Sequence, residues 1–296
     1  MSCQLFPAFP HQKNALIGIK VMRMLALALI VTSFLALSAM AQDTIQKVPL
    51  SQTEIDRIIK KVGENERFFR EALAGYNFSR SATVQTIGMG GNITGTYRRD
   101  SEMIIPPEGN RMERVIFAPI STLTEIQITA EDLEDLGGIN PFALEPSAIP
   151  QYNFSYVGKE HIDELDLYVF DVTPKVIPDP KKSKLRLFTG RIWVDDHDLM
   201  IVKSKGKAVP EDKNNKYPIV ETWRENIDGK YWFPTYINAD DELVFDNGNS
   251  VHVRMKVRYN NYKLAHTDVR IIAEEDVKPE AKPAPSPTPS PTPKKP

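Results

Sequence analysis

Apolar residues recur at helical spacing over one long stretch. Ile55, Ile58, Ile59 and Val62, then Phe69, Leu73 and Tyr76, share a face across residues 51–74, opposite Arg57, Lys60, Lys61, Glu64 and Arg67. Such a stripe predicts an amphipathic helix with its greasy side against a core. Ser51-Gln-Thr-Glu54 opens it as a capping box, in which hydroxyl and carboxylate satisfy donors of the first turn. Gly75 suits its C-terminal cap.

After Tyr76 the period changes to two, and strands are predicted over 81–88, 92–99, 101–105, 111–118, 123–129, 152–159, 165–173, 184–195, 199–208, 219–227, 230–238, 242–246 and 250–264. The breaks carry turn chemistry, as in Glu108-Gly-Asn110, Asp228-Gly229 and Asp246-Asn-Gly-Asn249. Connections this short favour consecutive antiparallel pairing, because parallel strands need long crossovers. Between strands, a short helix is predicted over 130–136. A Pro-rich loop, 140–150, follows it, and Phe142, Leu144 and Ile149 make that loop greasier than a surface position needs. It packs on the body or moves over an apolar site as a lid.

The last strand alternates cleanly. Val251, Val253, Met255, Val257 and Tyr259 face one way, and His252, Arg254, Lys256 and Arg258 the other. Other strands are apolar on both faces: Phe170 opposes Leu167 and Val169, Ile192 opposes Trp193, and Trp232 opposes Tyr231 and Phe233. A sheet of so many strands is too wide for one 24-residue helix to cover. It either closes on itself or leaves an apolar concavity. A lipid or similar ligand would sit in such a concavity; alternatively, side chains fill the interior. The candidate lining is Val251, Val253, Met255, Val257, Phe170, Trp193 and Trp232.

The termini differ from the body. Met22-Arg23-Met24, the apolar run Leu25 to Leu37 and Ser38-Ala39-Met40-Ala41 read as a secretory signal peptide within residues 1–41, with Met22 a possible start. The expected protein is exported and periplasmic. Its only cysteine, Cys3, precedes the cleavage site, which leaves no disulfide, thiolate nucleophile or Cys-ligated metal. Residues 278–296 hold eight of the 23 prolines and read as a disordered, polyproline-like tail. That leaves a single domain over 42–277 with 30 basic and 38 acidic groups, a net of −8. An acidic body argues against nucleic acid as a partner, and a monomer is expected.

Catalytic motifs find little support. Asp195-Asp196-His197-Asp198 resembles an acid/base or metal cluster, but it sits where a hairpin turn is predicted and lacks a second ligand pair. No Gly-x-Ser-x-Gly elbow occurs. Gly88-Met-Gly-Gly91 lies between strands, whereas a phosphate loop would open a helix. Neither enzyme activity, cofactor nor metal is expected.

Three segments then carry a resemblance: Gly190-Arg-Ile-Trp-Val-Asp195, Leu199-Met-Ile-Val202 and Asn226-Ile-Asp-Gly-Lys-Tyr-Trp-Phe-Pro-Thr235. With the signal-like segment, opening helix and meander, the chain resembles the LolA/LolB family of outer membrane lipoprotein-sorting proteins over roughly residues 45–265. The resemblance implies a mainly β (α+β) fold: an incomplete antiparallel half-barrel covered by the N-terminal helix and a short second helix or lid loop. It also implies a lipid- or lipoprotein-binding carrier, with acyl chains in an apolar cavity and envelope membrane proteins as partners. The alternative is a non-catalytic envelope module with a filled interior and a wall-reaching tail.

Overall fold

The computed structural model describes residues 45–106, 110–129, 132, 144–183 and 185–265. The signal-like segment, the helix expected over 130–136 apart from Asp132, the start of the 140–150 loop and the Pro-rich tail lie outside the described residues. No helix among the described residues is long and apolar enough to cross a membrane.

Helix α1 spans Gln52–Leu73. Ser51 Oγ accepts the Glu54 backbone N–H at 3.2 Å, which is half of the expected capping box. The Glu54 carboxylate turns instead to Arg57, which donates at 2.7 and 2.9 Å. A charged partner one turn away outbids a backbone donor that water also reaches.

Ten strands follow: β1 Tyr76–Ile87, β2 Ile93–Ile104, β3 Met112–Phe117, β4 Tyr152–Ile162, β5 Leu165–Pro174, β6 Leu187–Asp195, β7 Ile201–Val209, β8 Val220–Ile227, β9 Tyr231–Val244 and β10 Ser250–Leu264. They form one antiparallel sheet in the order β3-β2-β1-β10-β9-β8-β7-β6-β5-β4. β1 runs along β10, with Val84 opposite Met255 and Ala82 opposite Val257, so the first and last strands meet inside the sheet. β3 and β4 are consecutive in sequence yet form the two edges. The half-barrel is open between them.

β1 begins five residues before the expected 81, and at three places the strands themselves differ from the pattern. The segments 92–99 and 101–105 are one strand, β2, because Asp100 stays in the ladder with Ser81 donating to it at 2.6 Å. The segments 230–238 and 242–246 are likewise one strand, β9. Its acidic run is held by β10: Arg254 donates to Asp240 at 3.0 Å, and His252 also reaches that carboxylate. Cross-strand opposite charges of this kind stabilise a sheet where sequence polarity alone suggests a break. The third, 123–129, is no strand; it lies over the interior with Ile126 and Ile128 packed on Val84, Leu243, Val251 and Val253.

The helix divides the concave face. Ile58, Ile59 and Val62 pack among Phe170, Phe188, Ile192 and Val194. Phe69 and Leu73 pack with Phe78, Phe233, Val257 and Tyr259, the Phe69 and Phe233 rings meeting edge to face at 5.8 Å. The outer face has its own core of Leu167, Val169, Trp193 and Val202, against which Ile45 packs. Gln46 holds that segment in place by exchanging backbone hydrogen bonds with Lys159 at 2.7 and 2.8 Å. These two cores explain why β5 and β6 are apolar on both sides.

At the β1–β3 end, Glu113 accepts from Arg80 at 2.7 Å and from Arg99 at 2.9 and 3.1 Å. The hydrogen bonds from Arg99, with Ser101 and the Arg80 charge in support, pull its carboxyl down from 4.5 to about 2. A depressed folded-state pKa contributes stability above the unfolded value and loses it as pH falls toward the folded one. Glu113→Gln is therefore expected to lower stability at pH 7 by about 1–2 kcal/mol after solvent screening. It should also flatten the decline between pH 4.5 and 2. Urea midpoints measured across that range test this.

Candidate functional site

A hollow of about 500 Å³ lies in the concave face beside α1. Its floor comes from inward-facing positions of β6 to β10 and β1: Phe188 and Ile192, Ile201 and Ser204, Thr222, Ile237, Val253 and Met255, and Val84. Its roof is the 125–129 strap with Leu144. The helix is too narrow to reach β7–β10 beyond its own contacts, so the strap covers what the helix leaves. The strap is fastened to β2 at its Thr122 end, and its other end is locally capped. Thr122 donates its backbone N–H to Thr96 O at 3.0 Å, and Thr129 and Asp132 cap one another at 2.9 and 3.1 Å.

The rim is polar. Glu125, Gln127, Asn214 and Asn215 are exposed, and Arg186, Lys207 and Lys216 stand among them. Each rim cation has an acid beside it: Arg186 with Asp132 at 3.4 Å, Lys207 with Glu211 at 3.0 Å and Lys216 with Asp246 at 2.8 Å. The Arg186 guanidinium also lies 5.0 Å from the Tyr217 ring centroid.

Where α1 meets the hollow, Arg224 makes a bidentate pair with Glu66 at 2.6 and 3.0 Å and donates to Ile201 O at 3.3 Å. The two side chains are 4% and 1% exposed, and the guanidinium stacks 4.4 Å from the Phe69 ring centroid. This pair ties helix to sheet through β8. Next to it, Asn65 donates to the carbonyls of Asp198 and Leu199, each at 2.9 Å. Tyr259, which also lines the hollow, has its phenol pushed up to about 12 by burial and stays neutral at physiological pH.

The Asp195–Asp198 run is a fastened turn. The Asp195 carboxylate accepts the Asp198 N–H at 3.0 Å, and Leu199 closes the turn at φ 56°. Burial pushes the Asp195 carboxyl up. Asp196 pairs with Lys159 at 2.5 Å, and Asp198 accepts from Trp232 Nε1 at 2.7 Å. The Asp195 and Asp198 carboxyls also face one another, while Asp196 turns away to Lys159. Among the described residues no group of three or more His, Cys, Asp or Glu side chains is arranged to hold a metal ion.

The residues picked from the sequence fall in three places. Val253 and Met255 line the hollow, and Val251 packs beside it with Val84 and Leu243. Val257 and Phe170 are fully buried under the two halves of α1. Trp193 and Trp232 are on the outer face, where Trp193 Nε1 donates to Glu160 at 2.5 Å. Parity along each strand separates them: Ile192 and Phe233 point inward, so their neighbours point out. The floor residues Phe188, Ile192, Ile201 and Thr222 carried the same period-two signal. Ile126 and Ile128 also alternate, but nothing in that alternation distinguishes a strap from a strand.

The fold and the hollow define a half-barrel with an apolar interior cavity. Solved structures similar to this chain include a LolA superfamily protein from Nitrosomonas europaea, 14% identical, TM-score 0.31, covering 74% of this chain and 97% of that one. A DUF1329 family protein from Desulfovibrio piger is 15% identical, TM-score 0.31, over 72% and 94%. MucB is 13% identical, TM-score 0.25, over 71% and 94%. The structural neighbours thus include the LolA superfamily, at low identity. No protein-family model and no curated protein sequence matches the chain.

Proposed function

We propose that this protein is a binding or carrier protein of the bacterial envelope that shelters acyl chains of a lipid or lipoprotein in the hollow. The observation that carries the reading is a half-open hollow of about 500 Å³ with a largely apolar floor and a polar rim, the usual make-up of a site for an amphiphile. Burial of an acyl chain gains about 0.8 kcal/mol per methylene, roughly 12 kcal/mol for 15 of them, before association and ordering costs. Such a ligand is held firmly and still released. The signal-like segment within 1–41 supports export to the periplasm, and residues 42–277 would form the binding domain.

The test is native mass spectrometry of the full chain exported to a periplasm and purified without detergent. The expected result is a lipid-mass adduct that disappears in Val253→Asp/Met255→Asp. A milder variant, Ser204→Leu, narrows the floor without burying a charge and should weaken binding while circular dichroism stays unchanged. A bare protein that also ignores added lipid would overturn the reading in favour of an interaction module.

A further inference from the structure

Two files of side chains run side by side across the outer face of the sheet. In the first, Lys203, Trp223, Tyr236 and Arg258 are direct cross-strand partners on β7, β8, β9 and β10. In the second, Lys205, Glu221, Asn238 and Lys256 are partners on the same four strands. Lys203 also faces Trp193 of β6, and residues two apart on a strand share a face, so both files point outward. Each spans three strand spacings, about 14 Å.

The aromatic file is held by the polar one. Trp223 Nε1 donates to Glu221 at 2.7 Å, and Tyr236 Oη donates to Asn238 Oδ1 at 3.3 Å. The buried Lys203 ammonium lies 4.1 Å from the Trp223 ring centroid and 4.7 Å from that of Trp193. Trp223 and Tyr236 are half-buried, so each ring is fixed and still partly open to solvent. Arg258 lies 5.9 Å from the Tyr236 centroid, and a shallow depression lined by Glu225, Asn260 and Asn261 continues the surface there. Charge is uneven on this face. Glu221 is shared between Lys203 at 3.7 Å and Lys205 at 3.5 Å. Lys256 and Arg258 are exposed, and neither has an acid at ion-pair distance among the described residues.

We infer that this face binds the glycan strand of the cell wall, an oligosaccharide whose carboxylates are carried on peptide stems. The apolar face of a sugar ring stacks on an aromatic ring, while the hydroxyls at its edge need donors and acceptors at the same level. The two files supply both in parallel, and rings fixed in advance lose little freedom on binding. Their length suits several sugar rings in line. The carboxylates have to stand away from the rings: Glu221, beside Trp223, would repel an acid on the sugar itself, whereas Lys256 and Arg258 at the end of the files attract one on a stem. This inference rests on the export to the envelope read above and not on the hollow.

The test is cosedimentation of the full chain with purified wall sacculi freed of lipid and protein. Chitin serves as an uncharged comparator and alginate gel as a glycan with its carboxylates on the ring. The expected result is saturable binding to sacculi, at least about tenfold tighter than to either comparator. Tyr236→Ala should weaken it about tenfold. The exposed double variant Lys256→Glu/Arg258→Glu should do the same while the thermal midpoint stays unchanged. Absence of binding to sacculi, or binding that survives both variants, would overturn the inference. Alginate bound as tightly as sacculi would overturn the assignment to the wall. The lipid adduct of the hollow is read separately by native mass spectrometry, so either reading fails without the other.

Discussion

Arg224→Met is expected to destabilise the protein by about 3–5 kcal/mol, because it removes the cation that faces the buried Glu66 carboxylate. Few positions here have so much to lose. Glu66 is 1% exposed and accepts two hydrogen bonds from the Arg224 guanidinium at 2.6 and 3.0 Å. At roughly 2–4 °C per kcal/mol for a domain of this size, the thermal midpoint should fall by about 6–20 °C. Removing both charges, in Glu66→Leu/Arg224→Met, should recover most of the loss, since a well-packed apolar pair often equals a buried ion pair. Urea denaturation of the two single variants and the double variant measures this as a cycle. A single-variant cost below about 1 kcal/mol would mean that water reaches the pair, as it does at exposed ion pairs. The helix would then be held mainly by its apolar stripe.

The second large effect is expected at Gly206. A Cβ there would stand 2.3 Å from Thr189 O and 2.5 Å from Phe188 Cε2. The ring could move, but the carbonyl belongs to the β6–β7 ladder, where Gly190 faces Gly206 directly. Gly206→Ala should therefore cost about 2–3 kcal/mol, in the range of overpacked cores. It should also push Phe188 toward the hollow and weaken ligand binding beyond what the stability loss explains. An unchanged urea midpoint together with unchanged binding would show that the two strands separate without penalty at this point. In that case the pair of glycines does not shape the floor.

Both predictions concern contacts between residues far apart in the chain, and that is where the sequence was hard to read. The helix was legible because its stripe, its Ser51 cap and its length are local properties. Most strands were legible for the same reason, each period-two run ending in a turn. The errors arose where a strand carried its charges inward along the chain. Asp100 in β2 and Asp240 in β9 look like breaks until their partners on neighbouring strands are known. The candidate site was legible in part. Alternation along β10 identified Val253 and Met255, but large aromatic size at Trp193 and Trp232 was no guide to which face they occupy.

The sequence by itself therefore determined the class of fold, a mainly β meander with one covering helix, and which strand positions alternate. Period, capping and turn chemistry are short-range, and they act on residues next to one another. Only the tertiary structure decided which face each alternating set turns to the interior, that β1 pairs with β10, and that β3 and β4 stay apart. It also decided that 123–129 roofs the hollow and that Glu66 meets Arg224 across 158 positions of chain. Those outcomes follow from covering apolar area and pairing buried charge across the whole molecule, and no local stretch of sequence contains both sides of such a contact.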